Sequence, residues 1–78
     1  MFRASFILLS LVAMNTKRIM NHYGFKQNAI ARRSGIKEAS FSNMMNGRKA
    51  ITEPDIISIA NALGVEANEL FKHSKEAS

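Results

Sequence analysis

This chain of 78 residues has no cysteine and no tryptophan, a single proline and only four glycines. Without cysteine there is no disulfide, no thiolate metal site and no cysteine nucleophile. It lacks any apolar run near the 20 residues a membrane-spanning helix needs; the longest, Phe6 to Met14, is nine and contains Ser10. No alternating strand pattern, internal repeat or low-complexity stretch occurs. Acid is scarce in one region. Between residues 15 and 49, Lys17, Arg18, Lys26, Arg32, Arg33, Lys37, Arg48 and Lys49 face one acid, Glu38. Residues 50–78 reverse the balance, with Glu53, Asp55, Glu66, Glu69 and Glu76 against Lys72 and Lys75. The overall +5 thus divides into a basic half and an acidic half, as expected for a module that turns one side to a polyanion. A solvated basic face without a partner accounts for charge alone equally well.

A chain this short forms one small domain with a modest core. The first fourteen residues, MFRASFILLSLVAM, differ in composition from the rest. They are read as an apolar N-terminal extension, and three origins are weighed. Met14 is the true start; the segment packs on the domain or acts as a dimerisation arm; or it is a signal peptide. The last is the weakest, because the n-region has one charge and Leu11 is a poor residue two before a cleavage site.

From Asn15 the periodicity predicts five helices and an all-α domain over 15–72, with 73–78 a frayed tail. Helix 1 is expected from Asn15 to Tyr23, with Ile19, Met20 and Tyr23 on one face and Gly24 as its stop. Helix 2 runs from Gln27 to Ser34, burying Ile30 and Ala31, and Gly35 closes it with Ile36 turned back to the core. Helix 3 covers Glu38 to Asn46, with Phe41, Met44 and Met45 inward and Gly47 after it. Helix 4 has the clearest start: Thr52 as N-cap, Pro54 in the first turn and Asp55 three residues on, as in a capping box. Its stripe is Ile56, Ile59, Ala60 and Leu63, ended by Gly64. Helix 5, Ala67 to Lys72, contributes Leu70 and Phe71.

Phe25 to Gly47, FKQNAIARRSGIKEASFSNMMNG, carries the functional signal. Ala31 lets two helices pack closely, and a glycine four residues later makes the turn that sets them at a wide angle. The inward residues of helix 3 leave Lys37, Glu38, Ala39, Ser42 and Asn43 outward. Gln27, Ile30-Ala31, Gly35-Ile36, Asn46-Gly47-Arg48, Ala62-Leu63-Gly64-Val65 and Leu70-Phe71 together resemble the lambda-repressor-like (Cro/cI, Xre) helix-turn-helix family, over about Asn15 to Phe71. The resemblance implies a five-helix domain in which helices 2 and 3 form the helix-turn-helix. It implies binding to double-stranded operator DNA as a homodimer, with helix 3 in the major groove. By the same resemblance, Lys37, Glu38, Ala39 and Asn43 read bases, while Gln27, Asn46 and Arg48 hold the backbone; Lys26, ahead of Gln27, and Ser42, on the outward face of helix 3, are expected at the backbone with them. The chemistry agrees: lysine donates to guanine, glutamate accepts from the cytosine amino group, and an alanine methyl lies against a thymine methyl.

Two departures from the family pattern stand out. Lys26 and Lys37 occupy positions where a capping Ser, Thr or Asn is usual, at about 1 kcal/mol per site. They are read as serving DNA contact, against simple drift in a tolerant domain. Met20 and Met45 stand where many members place an internal Arg–Glu pair; core packing is the expected role.

His22 and His73 have no ligand cluster around them, the serines have no partnered base, and Asp55 reads as a cap. No enzyme, metal or cofactor is expected. The leading reading is a cytoplasmic transcriptional regulator, a Cro-type repressor on a near-palindromic operator. The alternatives are an antitoxin that also binds a toxin partner, since NGRKAIT resembles small antitoxins of this fold, and a protein-interaction module that has lost DNA binding. A membrane-tethered regulator rests only on Phe6 to Met14.

Overall fold

The computed structural model describes residues 2–72, with side chains described from Leu11 onward; the tail expected to fray, 73–78, lies outside the described residues. Four α-helices and a terminal 3-10 turn follow one another: α1 (Phe2–Tyr23), α2 (Gln27–Ser34), α3 (Glu38–Met45), α4 (Glu53–Leu63) and the turn Ala67–Phe71. No strand occurs among the described residues, and none of their helices is long and apolar enough to cross a membrane. α1 packs on α3, α4 and the 3-10 turn; α2 packs on α3 and α4.

α2 shows how the sequence sets its own limits. Gln, Ala and Arg are good helix formers, and Arg32 and Arg33 in the last turn complement the negative helix end. Gly35 then adopts φ +75°, which costs glycine little. The Ile36 N–H donates to the Ala31 carbonyl at 3.0 Å, the closing bond of a Schellman stop. Ile30 and Ala31 are buried, and Ala31 has no side chain beyond Cβ to hold the neighbouring helices away.

The core joins Val12, Ile19, Met20, Ile30, Phe41, Met44, Met45, Ile51, Ile59, Leu63 and Leu70. Fully burying a side chain such as Ile30, Phe41, Ile59 or Leu70 stabilises the fold by about 1.5–3 kcal/mol each. Met20 and Met45 both lie inside it, where two methionines avoid the desolvation cost of an ion pair.

Helix 1 departs from expectation at both ends. It starts at Phe2, not Asn15, so residues 2–14 continue the helix without a break. Leu11, Val12 and Ala13 are buried, and the stripe runs 12, 15–16, 19–20, one helical face. Asn15 is a buried clamp inside the helix: its Nδ2 donates to the carbonyls of Leu70 (2.8 Å) and Lys72 (2.7 Å), tying α1 to the 3-10 turn. At the other end Tyr23 is 61% exposed, not inward. Its ring stacks on Phe25 with centroids 5.6 Å apart, and the His22 ring meets it edge-on.

The last element is a 3-10 helix of five residues, not a fifth α-helix. Five residues are too few for α-helical hydrogen bonds to offset a costly first turn. Of the two residues expected in the core there, Leu70 is fully buried and Phe71 is exposed. Helix 3 ends at Met45, one residue before the expected Asn46, which becomes its C-cap.

Candidate nucleic-acid interface

α2 and α3 begin in the same unusual way. Lys26 is the N-cap of α2 and Lys37 the N-cap of α3, each with extended ψ near 143°, and neither side chain accepts a hydrogen bond from its helix. An α-helix opens with N–H groups that have no partner within the helix, and these carry its positive end. A lysine offers no acceptor and adds like charge. Both helix starts therefore present donors and positive charge outward, which suits a phosphate oxygen. α4 contrasts with them. The Asp55 N–H donates to Thr52 Oγ1 and the Thr52 N–H to Asp55 Oδ2, completing a capping box.

Of the nine residues expected at DNA, six fall into two groups, Asn43 joins the groups and two lysines stand apart. Gln27, Glu38, Ala39 and Ser42 share one shallow cleft of about 300 Å³ between the start of α2 and α3. Ala31 forms part of its wall, and Asn28 also lines it. Asn46 and Arg48 lie at the exit of α3, lining a second groove with Lys49. Asn43 links the two groups: it is half-buried on α3, and its carbonyl accepts from the N–H groups of Arg48 (2.8 Å) and Lys49 (3.2 Å). This holds the turn after α3 in place. Asn46 Nδ2 reaches Ser42 Oγ at 3.5 Å, a weak contact along the exposed side of α3. Lys26 and Lys37 line neither the cleft nor the second groove; they stand exposed ahead of it at the two helix starts.

The electrostatics follow the division visible in the sequence. Among the described residues the one ion pair is Lys72–Glu69 at 2.9 Å, in the acidic half. The cations of 15–49 have no carboxylate partner there, so their field acts on solvent or on a polyanion. Two further residues at this surface are not singled out by the motif. Asn28 stands beside Gln27 in the cleft, a signal available from adjacency alone. Lys49 donates to Ser40 Oγ at 3.2 Å across nine residues, a contact with no local sequence signature.

A family model described as a helix-turn-helix domain matches residues 13–71. The chain belongs to the helix-turn-helix domain family. Its structure is similar to that of NHTF, a hypothetical transcription factor from Neisseria, with a TM-score of 0.82 and 28% identity over 90% of this chain and 80% of that one. It is also similar in fold to the restriction-modification controller protein C.AhdI from Aeromonas hydrophila, with a TM-score of 0.75 and 24% identity over 81% of this chain and 96% of that one. No curated protein matches the chain.

Proposed function

We propose that this protein is a sequence-specific duplex-DNA-binding transcriptional regulator, a repressor of the Cro type that acts as a homodimer in the cytoplasm. α2 and α3 are its helix-turn-helix. α3 enters the major groove, where Lys37, Glu38, Ala39 and Asn43 meet base edges. Lys26, Gln27, Ser42, Asn46 and Arg48 hold the flanking phosphates. The observation that carries this reading is the pair of uncapped, lysine-led helix starts beside a shared cleft, in a half of the chain with one acid. Family membership and the likeness to a transcription factor support it.

In a dimer two recognition helices stand about 34 Å apart, one turn of duplex, so the operator is a near-palindrome. If each subunit neutralises about 4–6 phosphates, affinity falls with salt on a log–log slope of about −8. Selection of binding sites from a random duplex pool, run at two salt concentrations, tests the reading. An enriched palindrome with a steep salt dependence is expected. Failure to enrich any palindromic motif sinks the specific-regulator reading.

A further inference from the structure

We infer that α1, outside the helix-turn-helix, carries a further DNA-backbone anchor, Lys17. The inference rests on the DNA-binding reading above and extends its footprint across a third element. Two surface grooves meet on α1. One, of about 580 Å³, runs from Met14 and Lys17 past Asn21 to Phe25 and Gln27, at the start of α2. The other, of about 460 Å³, runs from Met14 and Lys17 to Asn46, Arg48 and Lys49, at the exit of α3. Met14 and Lys17 line both. α1 is therefore the ridge that joins the entry and the exit of the motif, and Lys17 stands exposed on that ridge.

The chemistry of the strip selects an anionic occupant. No acid lines either groove among the described residues, and the cations are Lys17, Arg18, Arg48 and Lys49. Two of these are held: Arg18 donates to Asn15 Oδ1 at 3.3 Å and Lys49 to Ser40 Oγ at 3.2 Å. The Lys17 side chain makes no hydrogen bond or ion pair among the described residues. Its ammonium is the free charge between Gln27 on one side and Arg48 on the other. A sugar–phosphate chain that touches both ends of the motif passes it, and Met14, 56% exposed beside it, offers an apolar edge for a deoxyribose. A bare basic face in solvent is the competing account, and the two differ in what one substitution does to the salt dependence.

The test uses the full chain and a labelled duplex carrying the motif enriched by selection, with affinity measured by fluorescence anisotropy at four salt concentrations. Lys17→Gln is expected to weaken binding about threefold to tenfold near physiological salt and to flatten the log–log slope by about one per subunit. Lys17→Arg is expected to restore both. Lys72→Gln, which removes a cation from the acidic half, is expected to leave the slope unchanged. The inference is overturned if Lys17→Gln keeps the wild-type slope, or if Lys72→Gln matches its effect, which would mean that net charge alone matters. If the wild-type chain binds no duplex at all, the DNA reading itself fails and this anchor falls with it, an outcome distinct from a wild type that binds and a Lys17 variant that binds equally well.

Discussion

Two sides of this small domain treat their polar backbone groups in opposite ways. On the side of α2 and α3, two helices open on lysine with no side-chain acceptor. On the side of α4 and the 3-10 turn, Thr52 and Asp55 satisfy each other's N–H groups, and the buried Asn15 amide donates to two carbonyls at the end of the chain's last element. The same domain thus contains a complete capping box at α4 and two α-helices, α2 and α3, that open on lysine without a cap. Poor helix chemistry throughout would be a property of a weakly stable domain. The five-residue 3-10 turn is also uncapped, at Glu66, but there the N-cap residue is an acid; a lysine at the N-cap occurs only at α2 and α3 among the described starts, both on the basic face, and that is a property of a surface. In the proposed function the missing acceptors come from DNA.

The comparison breaks first, and most visibly, at the well-satisfied end. Asn15→Ala removes the donor for Leu70 and Lys72 and leaves at least one buried carbonyl unpaired, which costs about 1–3 kcal/mol. Thermal unfolding followed by circular dichroism should show a drop of about 10 °C for a domain of this size. None of the proposed DNA contacts is altered, so duplex affinity measured well below the new midpoint should stay close to wild type. A large loss of affinity in a folded Asn15→Ala variant would show that the two sides are not separable.

The converse experiment strikes the uncapped face. Lys26→Ser and Lys37→Ser supply the missing acceptors and remove a charge that opposes the helix dipole. Each should stabilise the free protein by about 1 kcal/mol in urea unfolding. DNA affinity should move the other way, by fivefold or more for Lys37→Ser if a base contact of about 1–3 kcal/mol is lost. Stabilisation with unchanged binding would return the two lysines to the status of drift. Thr52→Ala is the matched control on the other side. It should lose about 1 kcal/mol of stability and leave DNA binding untouched.

Part of this contrast is legible in the order of residues alone. α2 can be bounded at both ends, because an apolar pair at helical spacing is followed by a glycine whose only task is to stop the helix. The absent caps are legible for the same reason, since a cap is a local feature of one residue type at one position. α1 is not. Residues 2–14 contain no glycine or proline to mark a boundary, and the change in composition after Met14 is not a change in structure. Periodicity places Tyr23 inward, yet it is the final residue of the helix, where its ring finds Phe25 instead of the core. Asn15 shows the deeper limit. Its partners lie 55 and 57 residues away, and nothing local to an Asn in a helix says that it will hold the 3-10 turn. In sequence Lys17 is visible only as a charge; its place beside the exit of α3 comes from tertiary packing.

The smallest expected effect is the most discriminating. Glu38 is the one acid of the basic half and the first residue of α3. An acid in the first turn of a helix is stabilising by about 0.3–1 kcal/mol, so Glu38 can be explained without DNA, as partial compensation for the lysine before it. It can equally be a base reader that accepts from a cytosine amino group. Glu38→Gln separates the two. Both accounts predict a small loss of stability, a few tenths of a kcal/mol. Only the second predicts a change in which duplexes are bound. A glutamine keeps an oxygen and gains donors, so discrimination should shift away from cytosine at one position of each half-site, toward adenine, which glutamine pairs with through N6 and N7. Affinity for unrelated duplex should rise slightly in either case, because a negative charge has left the surface proposed to face phosphates. Repeating the selection with the Glu38→Gln protein decides the matter: an enriched motif identical to that of the wild type would make Glu38 a helix-start residue and remove it from the reading face.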